Sequence, residues 1–111
     1  MKNIVLWGNT IEYDYYQKYI ELEELKGNIY VLAIIFNEGK FIHGIDGIPI
    51  IGMEEIMFLE YDYLVDMNHT GQEERLRIME ILRIPKEKII HAKTFEQPYF
   101  DFVEWLCNKK V

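Results

Sequence analysis

The chain has 111 residues, of which 50% are hydrophobic and 28% are charged, and its formal net charge is −7. This length and composition are typical of one small globular domain with its own core. The acidic excess, with no basic cluster, argues against nucleic acid and against an anionic membrane surface as partners, because both require cations for binding. The single cysteine, Cys107, excludes an internal disulfide and favours a cytoplasmic protein.

The first predicted strand is Ile4–Trp7, an uninterrupted apolar run of the kind that is buried on both faces of a sheet. Gly8 ends the strand, and Asn9 with Glu12 three residues later forms a capping-box pattern that opens a helix. This helix is predicted to extend to about Lys26. The stripe predicted to face the core consists of Ile11, Tyr15, Tyr19, Leu22 and Leu25.

The second predicted strand is Ile29–Phe36, and Asn37-Glu38-Gly39 ends it. This longest apolar run is far too short to span a bilayer, so no membrane partner is expected. The segment FIHGIDGIPII, residues 41–51, contains two glycines and a proline and is predicted to be an irregular extended excursion. A short helix over Met53–Leu59 follows it.

The second half of the chain continues the alternation of strand and helix. Its predicted elements are a third strand over Tyr61–Met67, a helix opened by the capping box Thr70-Gly71-Gln72-Glu73 and ending at Leu82 or Arg83, a fourth strand over Lys88–Ala92, and a closing helix over Phe100–Asn108.

Four alternating strand–helix pairs predict an α/β fold: a three-layer, doubly wound parallel sheet of about four strands in the order 2-1-3-4. The core is predicted to include Ile4, Leu6, Val31, Ala33, Ile35, Leu64 and Val65. The order places a topological switch point between strands 1 and 3, and ligands of such sheets bind there, at the carboxyl ends of the strands.

Several segments resemble a Rossmann-like domain of bacterial surface-polysaccharide biosynthesis: IVLWG, FNEG, IDGIPIIGMEEI, YDYLVD and ILRIPKEKII. That domain is found at the N-terminus of sialic-acid-type sugar O-acyltransferases and of nucleotide-sugar dehydratases or epimerases, and in proteins fused to methyl- or glycosyltransferases. The resemblance covers Lys2 to about Phe95. It implies a single Rossmann-like domain, residues 1–111, either complete or the N-terminal part of a longer protein, with NAD(P), CoA or a nucleotide sugar as ligand.

The resembling family usually has a glycine-any-glycine-any-any-glycine loop, and its second strand usually ends with an aspartate. The matching positions here are Gly8, Thr10 and Tyr13 in the loop and Asn37 after the strand. The second glycine lets the backbone approach a pyrophosphate, and the third lets helix and strand pack closely. In addition, Glu12 and Asp14 place carboxylates in the first helical turn, where a phosphate would bind. We therefore expect the shape of a phosphate site with weakened affinity.

A candidate cofactor site follows from the geometry of parallel strands, because the loops that leave strands 1, 2 and 3 must converge at the switch point. Its predicted residues are Gly8, Asn9, Thr10, Asn37, Glu38, Asn68 and His69. Gly8 would turn the chain, Asn9 and Thr10 would donate hydrogen bonds, Glu38 would accept one from a ribose hydroxyl, and His69 would wall the pocket. The alternative is that Asn68 and His69 are ordinary loop residues.

Catalytic residues and a metal site are not predicted. The three histidines are far apart and lack zinc-like spacing. Asp66 ends the third strand, where a response-regulator receiver carries its phosphorylated aspartate, but Trp7-Gly8-Asn9 replaces the acidic pair that would hold magnesium. Cys107 lies on the predicted closing helix beside Trp105 and Leu106 and is predicted to be a half-buried, inert thiol rather than a nucleophile, which would need a neighbouring cation or base.

Two functions remain open from the sequence. The first is a nucleotide-binding accessory module of polysaccharide biosynthesis, with any catalysis carried by a fused domain. The second is a non-catalytic regulatory or oligomerisation module that has kept the fold and lost the ligand. Two of the four tyrosines on the first helix are expected to pack on the sheet, and the others to form an exposed aromatic face of the kind found at interfaces, including those between identical chains.

Overall fold

The computed structural model describes residues 1–39, 44–68 and 71–91, which form a sheet with helices on both faces. The strands are β1 (Lys2–Gly8), β2 (Ile29–Phe36), β3 (Gly44–Ile45), β4 (Ile48–Ile51), β5 (Tyr63–Asp66) and β6 (Ile89–His91). The helices are α1 (Thr10–Leu25) and α2 (Gln72–Ile81), together with 3-10 helices over Met53–Phe58 and Lys86–Lys88.

The sheet confirms the predicted α/β, doubly wound class, and its strand order is β3-β4-β2-β1-β5-β6. The four predicted strands are neighbours in the predicted order, β2-β1-β5-β6, with β6 at one edge of the sheet, and all four are parallel. The predicted count of four was too low, because the excursion after β2 contains β4, which pairs in parallel with β2, and β3, which pairs antiparallel with β4. Asp46 and Gly47 both have positive φ, 53° and 79°, and form the tight turn between β3 and β4.

The side chains of successive residues in β1 point to opposite faces of the sheet, so they pack in the two core layers on either side of it. Ile4 and Leu6 belong to the layer that contains α1, whereas Val5 and Trp7 belong to the layer that contains α2 and the 3-10 helix Met53–Phe58. The seven predicted core residues are confirmed, since each is at most 3% exposed.

The predicted core-facing stripe of α1 is wrong except for Tyr19, which is partly buried and packs against the core. Tyr13, Tyr16 and Ile20 face the sheet, each at most 1% exposed, whereas Ile11 is 75% exposed and Leu25 is 85% exposed. Both sets have helical spacing and lie on opposite sides of α1, so the apolar pattern alone does not decide which side is buried. The tyrosine prediction is correct in outline: Tyr13 and Tyr16 pack on the sheet.

The ends of the helices agree with their sequence signals where the structure describes them. The Asn9 backbone N–H donates to Glu12 Oε1 at 2.8 Å, as the capping box predicts, and Gly27 after α1 has φ of 78°. Gly71, which precedes α2, also has positive φ. The predicted cap Thr70, the end of the fourth strand at Ala92 and the closing helix lie outside the described residues. None of the described helices is long and apolar enough to cross a membrane.

We expect Ile20→Ala and Ile11→Ala, the same substitution on opposite sides of α1, to differ sharply in stability. Ile20→Ala should lower the free energy of unfolding by about 2–5 kcal/mol because it opens a cavity in the core. Ile11→Ala should change it by at most about 0.5 kcal/mol, as exposed sites do. Urea unfolding of both variants measures the difference, and equal losses would contradict the assigned orientation of α1.

Candidate functional site

The three loops at the switch point converge on Asn37, the residue that follows β2. Asn37 Nδ2 donates to Asn9 Oδ1 at 3.1 Å and to Asn68 Oδ1 at 2.6 Å. Asn37 Oδ1 accepts a hydrogen bond of 2.8 Å from Trp7 Nε1. The predicted convergence of these loops is therefore correct, although His69 lies outside the described residues. A cofactor-binding role for the group remains a prediction.

The N-terminus of α1 is occupied by carboxylates of the chain itself. Glu38 binds Thr10 twice: the Thr10 backbone N–H donates to Oε1 at 3.0 Å, and Thr10 Oγ1 donates to Oε2 at 2.8 Å. Glu12 accepts from the Asn9 N–H on the same turn. The donors predicted for a ligand at Thr10 are thus used internally, and Glu38 caps the helix rather than standing free for a ribose hydroxyl. The second carboxylate at this helix end is Glu38 and not the exposed Asp14.

Gly8 is the one glycine of the loop pattern that this chain keeps, and internal packing accounts for it. A Cβ at Gly8 would lie 3.1 Å from Glu12 Oε1 and 3.2 Å from Met67 Cε. Since Met67 is fully buried, the side chain has little room to move aside. The approach of β1 to β5 and to the helix cap therefore disfavours a side chain at this position, whether or not a ligand binds.

A buried charge cluster lies beside this loop group, centred on Asp66 at the end of β5. Asp66 is 1% exposed. Its Oδ1 accepts from the backbone N–H and Nδ2 of Asn68 at 3.0 and 2.7 Å. Its Oδ2 lies 2.9 Å from Arg75 Nε on α2 and 3.0 Å from His91 Nδ1 on β6. An ionised carboxylate only accepts, so the His91 contact is a hydrogen bond when Nδ1 carries the proton.

The partners of Asp66 keep it ionised. Burial alone would raise the pKa of Asp66, but the hydrogen bonds from His91 and Asn68 and the charge of Arg75 outweigh burial and lower the pKa below its usual value. This carboxylate is suited to fixing the positions of its neighbours and is a poor proton donor near neutral pH.

A cleft of about 320 Å³ opens between the loop group and α2. It is lined by Trp7, Asn9, Asn37, Asn68, Gly71, Glu74, Arg75 and Ile78. The Arg75 guanidinium carbon lies 6.0 Å from the centre of the Trp7 ring, and the same side chain pairs with Asp66. Because Glu74 also lines the cleft, the walls carry no excess of positive charge for a phosphate. Among the described residues, no group of three or more His, Cys, Asp or Glu could hold a metal ion.

Sequence reasoning located the loops of this site but missed the side chains that organise it: Trp7, Asp66, Arg75 and His91. A signal for Asp66 was present, because an aspartate in an otherwise apolar, buried strand needs a partner. The identity of that partner depends on how α2 and β6 return to the sheet, which residue spacing does not specify.

The fold and the site define a Rossmann-like α/β domain in which amide and carboxylate side chains of the chain itself bind one another at the switch point. The chain belongs to the family of C2185-like N-terminal domains, whose model matches residues 1–90. The matched range includes every residue of the loop group and of the Asp66 cluster except His91. No curated protein matches the chain. Membership of this family names no ligand and no reaction.

The lowered pKa of Asp66 predicts how stability depends on pH. A carboxyl group whose pKa is lower in the folded state contributes stability above its unfolded pKa of about 3.9, and this contribution is lost as the pH falls through the folded pKa. At pH 7, Asp66→Asn should cost about 3–5 kcal/mol, because it leaves Arg75 buried beside a neutral partner.

Urea unfolding of the wild type and of Asp66→Asn at pH 7, 5, 4 and 3 measures this effect. The difference between the two proteins should be constant above about pH 5 and should shrink below about pH 4. Asp14→Asn, on the exposed side of α1, is the matched control and should change stability at pH 7 by at most about 1 kcal/mol. A deficit of Asp66→Asn that stayed constant down to pH 3 would contradict an ion pair at this position.

Proposed function

We propose that this chain is a non-catalytic regulatory or oligomerisation module that keeps the Rossmann-like fold and does not bind a dinucleotide phosphate at α1. The observation that carries this proposal is the Glu38 carboxylate on the Thr10 N–H and hydroxyl. The proposed setting is bacterial surface-polysaccharide biosynthesis, and the resemblance of the strand and loop segments to domains of that process supports it.

Magnitudes favour the loss of phosphate binding. A helix N-terminus stabilises an anion by about 0.3–1 kcal/mol at an exposed site. Against this, each carboxylate within about 4 Å of a phosphate charge opposes it by roughly 1 kcal/mol in water and about 4 kcal/mol near a protein surface. Glu12 and Glu38 both lie at this helix end. Their combined repulsion exceeds the attraction of the helix end.

The charged groups beside the crevice support a module without catalysis. Asp66, the most buried carboxylate of the group, is bound to Arg75 and His91, and its lowered pKa removes it as an acid near neutral pH. General acid–base catalysis needs a group whose pKa lies near the working pH and which can reach a substrate. Asp66 meets neither requirement, because its pKa is lowered and because it is only 1% exposed and cannot reach a substrate.

Thermal unfolding with added ligands tests the proposal. NAD, NADP, CoA and UDP-sugars at millimolar concentration should leave the midpoint of wild-type unfolding unchanged. A ligand at about 100 times its dissociation constant would instead add about 2.7 kcal/mol of stability, which is readily measured. Such a shift with any of these ligands would overturn the proposal.

The Glu38→Ala variant tests whether the Glu38 carboxylate is what keeps phosphate away from the start of α1. Removing the carboxylate should destabilise the domain by about 0.5–2 kcal/mol, as loss of a helix cap does. Inorganic pyrophosphate should restore part of this loss by taking the vacated place on Thr10, and it should have no effect on the wild type. Glu80→Ala, on the exposed surface of α2, is the matched control and should show neither effect. If pyrophosphate stabilised the wild type as strongly as it stabilises the Glu38→Ala variant, the assigned role of Glu38 would be contradicted.

A second candidate function, nucleotide binding in the cleft beside α2, is favoured by the position of that cleft. It lies at the carboxyl ends of β1 and β5, where parallel sheets bind ligands, and its volume of about 320 Å³ is at the lower end of the range for ligand sites. That size suits the sugar or base of a nucleotide sugar better than a whole NAD(P) or CoA molecule.

Ile78→Trp separates this second candidate from the first. Ile78 lines the cleft from α2 and Glu38 does not line it, so a larger side chain at position 78 should fill the cleft without touching the helix cap. If a UDP-sugar stabilises the wild type, Ile78→Trp should abolish that stabilisation and Glu38→Ala should preserve it. Retention of the ligand effect in Ile78→Trp would place the ligand outside the cleft.

A further inference from the structure

The side of α1 that faces away from the sheet carries an apolar stripe. We define this outer stripe by its four apolar residues: Ile11, Tyr15, Leu22 and Leu25, which are 75%, 40%, 47% and 85% exposed. The opposite side of the same helix already fills the core with Tyr13, Tyr16 and Ile20. A helix that is apolar on two opposite sides has more apolar surface than the sheet can cover.

The outer stripe has the spacing of a coiled-coil seam. Together with Lys18, its members stand at positions 11, 15, 18, 22 and 25, in alternating steps of four and three. That alternation is the a/d repeat by which two helices pack along their whole length. Since α1 has 16 residues, the seam is about 24 Å long.

We propose that the outer stripe binds the outer stripe of a second copy of this chain, with the two α1 helices antiparallel. This inference deepens the oligomerisation role in the proposed function and rests on it. The fit of a second copy follows from the spacing, because a seam of this repeat is complementary to itself under a two-fold axis.

Charge selects the antiparallel direction. In a parallel pair, Lys18 would face Lys18 of the second copy in the middle of the seam. In an antiparallel pair centred between Tyr15 and Lys18, each Lys18 lies opposite Tyr15 of the second copy and beside its Asp14. Ile11 then lies opposite Leu22 of the second copy, and Leu25 extends past the start of the second α1. The antiparallel arrangement thus replaces one repulsion with two attractive ion pairs, which fixes the register as charge complementarity does at other interfaces.

Charge also argues against a lipid surface as the occupant. Helices that lie on anionic membranes flank their apolar face with Lys or Arg. Here Asp14 and Glu21 flank the outer stripe. The apolar residues that face each other in this register, Ile11, Tyr15 and Leu22 of both copies, bury less than about 1,000 Å² of surface, which is the size of a weak, transient interface. The association should therefore be reversible and dependent on concentration.

Sedimentation velocity of the full chain over a wide concentration range tests the proposal. The wild type should change from monomer to dimer as the concentration rises. Leu22→Glu should stay monomeric at every concentration, whereas Ile81→Glu, at a similarly apolar and exposed site on α2, should dimerise like the wild type. Circular dichroism of each variant verifies that it is folded. A wild type that stays monomeric throughout would overturn the proposal and leave the stripe for a different partner.

A pair of charge reversals tests the direction through the single variants and the pairing of charges through their mixture. In a parallel pair, Lys18→Glu would only exchange one like-charge contact for another and would not weaken the dimer. Asp14→Lys and Lys18→Glu should each weaken the dimer at least about tenfold, because like charges then meet across the seam. An equimolar mixture of the two variants should dimerise again, since the lysine introduced at position 14 of one copy then faces the glutamate introduced at position 18 of the other. The contact between positions 14 and 18 within each helix stays unfavourable in both variants, so recovery on mixing can only be intermolecular.

Failure of the mixture to dimerise better than either variant alone would overturn the antiparallel register. These measurements contain no nucleotide, so their outcome is independent of the ligand titrations. A dimer that forms together with strong nucleotide binding would reject the proposed loss of the ligand and keep the interface. A chain that neither dimerises nor binds a nucleotide would reject the interface and keep the proposed loss of the ligand.

Discussion

The ionised Asp66 carboxylate is the constraint on which the rest of the crevice depends. Removing a carboxylate from water costs several kcal/mol, and the cost is offset only when all of its lone pairs find good partners. Four contacts meet this need, from Asn68 twice, Arg75 and His91. Because Asn68 gives its amide N–H groups to Asp66 and to the Trp7 carbonyl, its oxygen is directed at Asn37. The charge at the end of β5 therefore determines the orientation of amides two strands away.

The contacts at the switch point also show how a Rossmann-like fold can satisfy the start of its first helix with side chains of its own. In a dinucleotide-binding domain the pyrophosphate satisfies the N–H groups at the start of the first helix. Here Glu38, which follows the second strand, provides that negative charge from within the chain. The helix end and the loops are stabilised to each other before any ligand arrives. Under the proposed function, such a switch point gains little from binding a phosphate, and the exposed side of α1 is the surface that gains from contact with a partner.

Sequence patterns located the elements because each pattern has one physical solution. The apolar runs of β1 and β2 are typical of strands that are covered on both faces, and the spacing of Asn9 and Glu12 is typical of a helix start. Other features had two solutions. The stripes on α1 are equally apolar, and only tertiary packing selects one for the core. The contact between Glu38 and Thr10 depends on how two distant loops meet, and β3 and β4 lie in a segment whose two glycines and proline predicted an irregular excursion.

Tyr13 lies at the position that matches the third glycine of the resembling family, and its contacts connect α1 to an edge of the sheet. Its ring packs edge-on against Phe36 at 6.1 Å, and its hydroxyl donates to Asp46 Oδ2 at 2.9 Å, in the turn between β3 and β4. Gln17 Nε2 donates to the same oxygen at 2.7 Å, so two side chains of α1 attach the edge hairpin to the helix. A glycine at position 13 would remove the ring contact and one of these two hydrogen bonds. The close helix–strand approach that a glycine permits and the present attachment of the hairpin therefore exclude each other at this position.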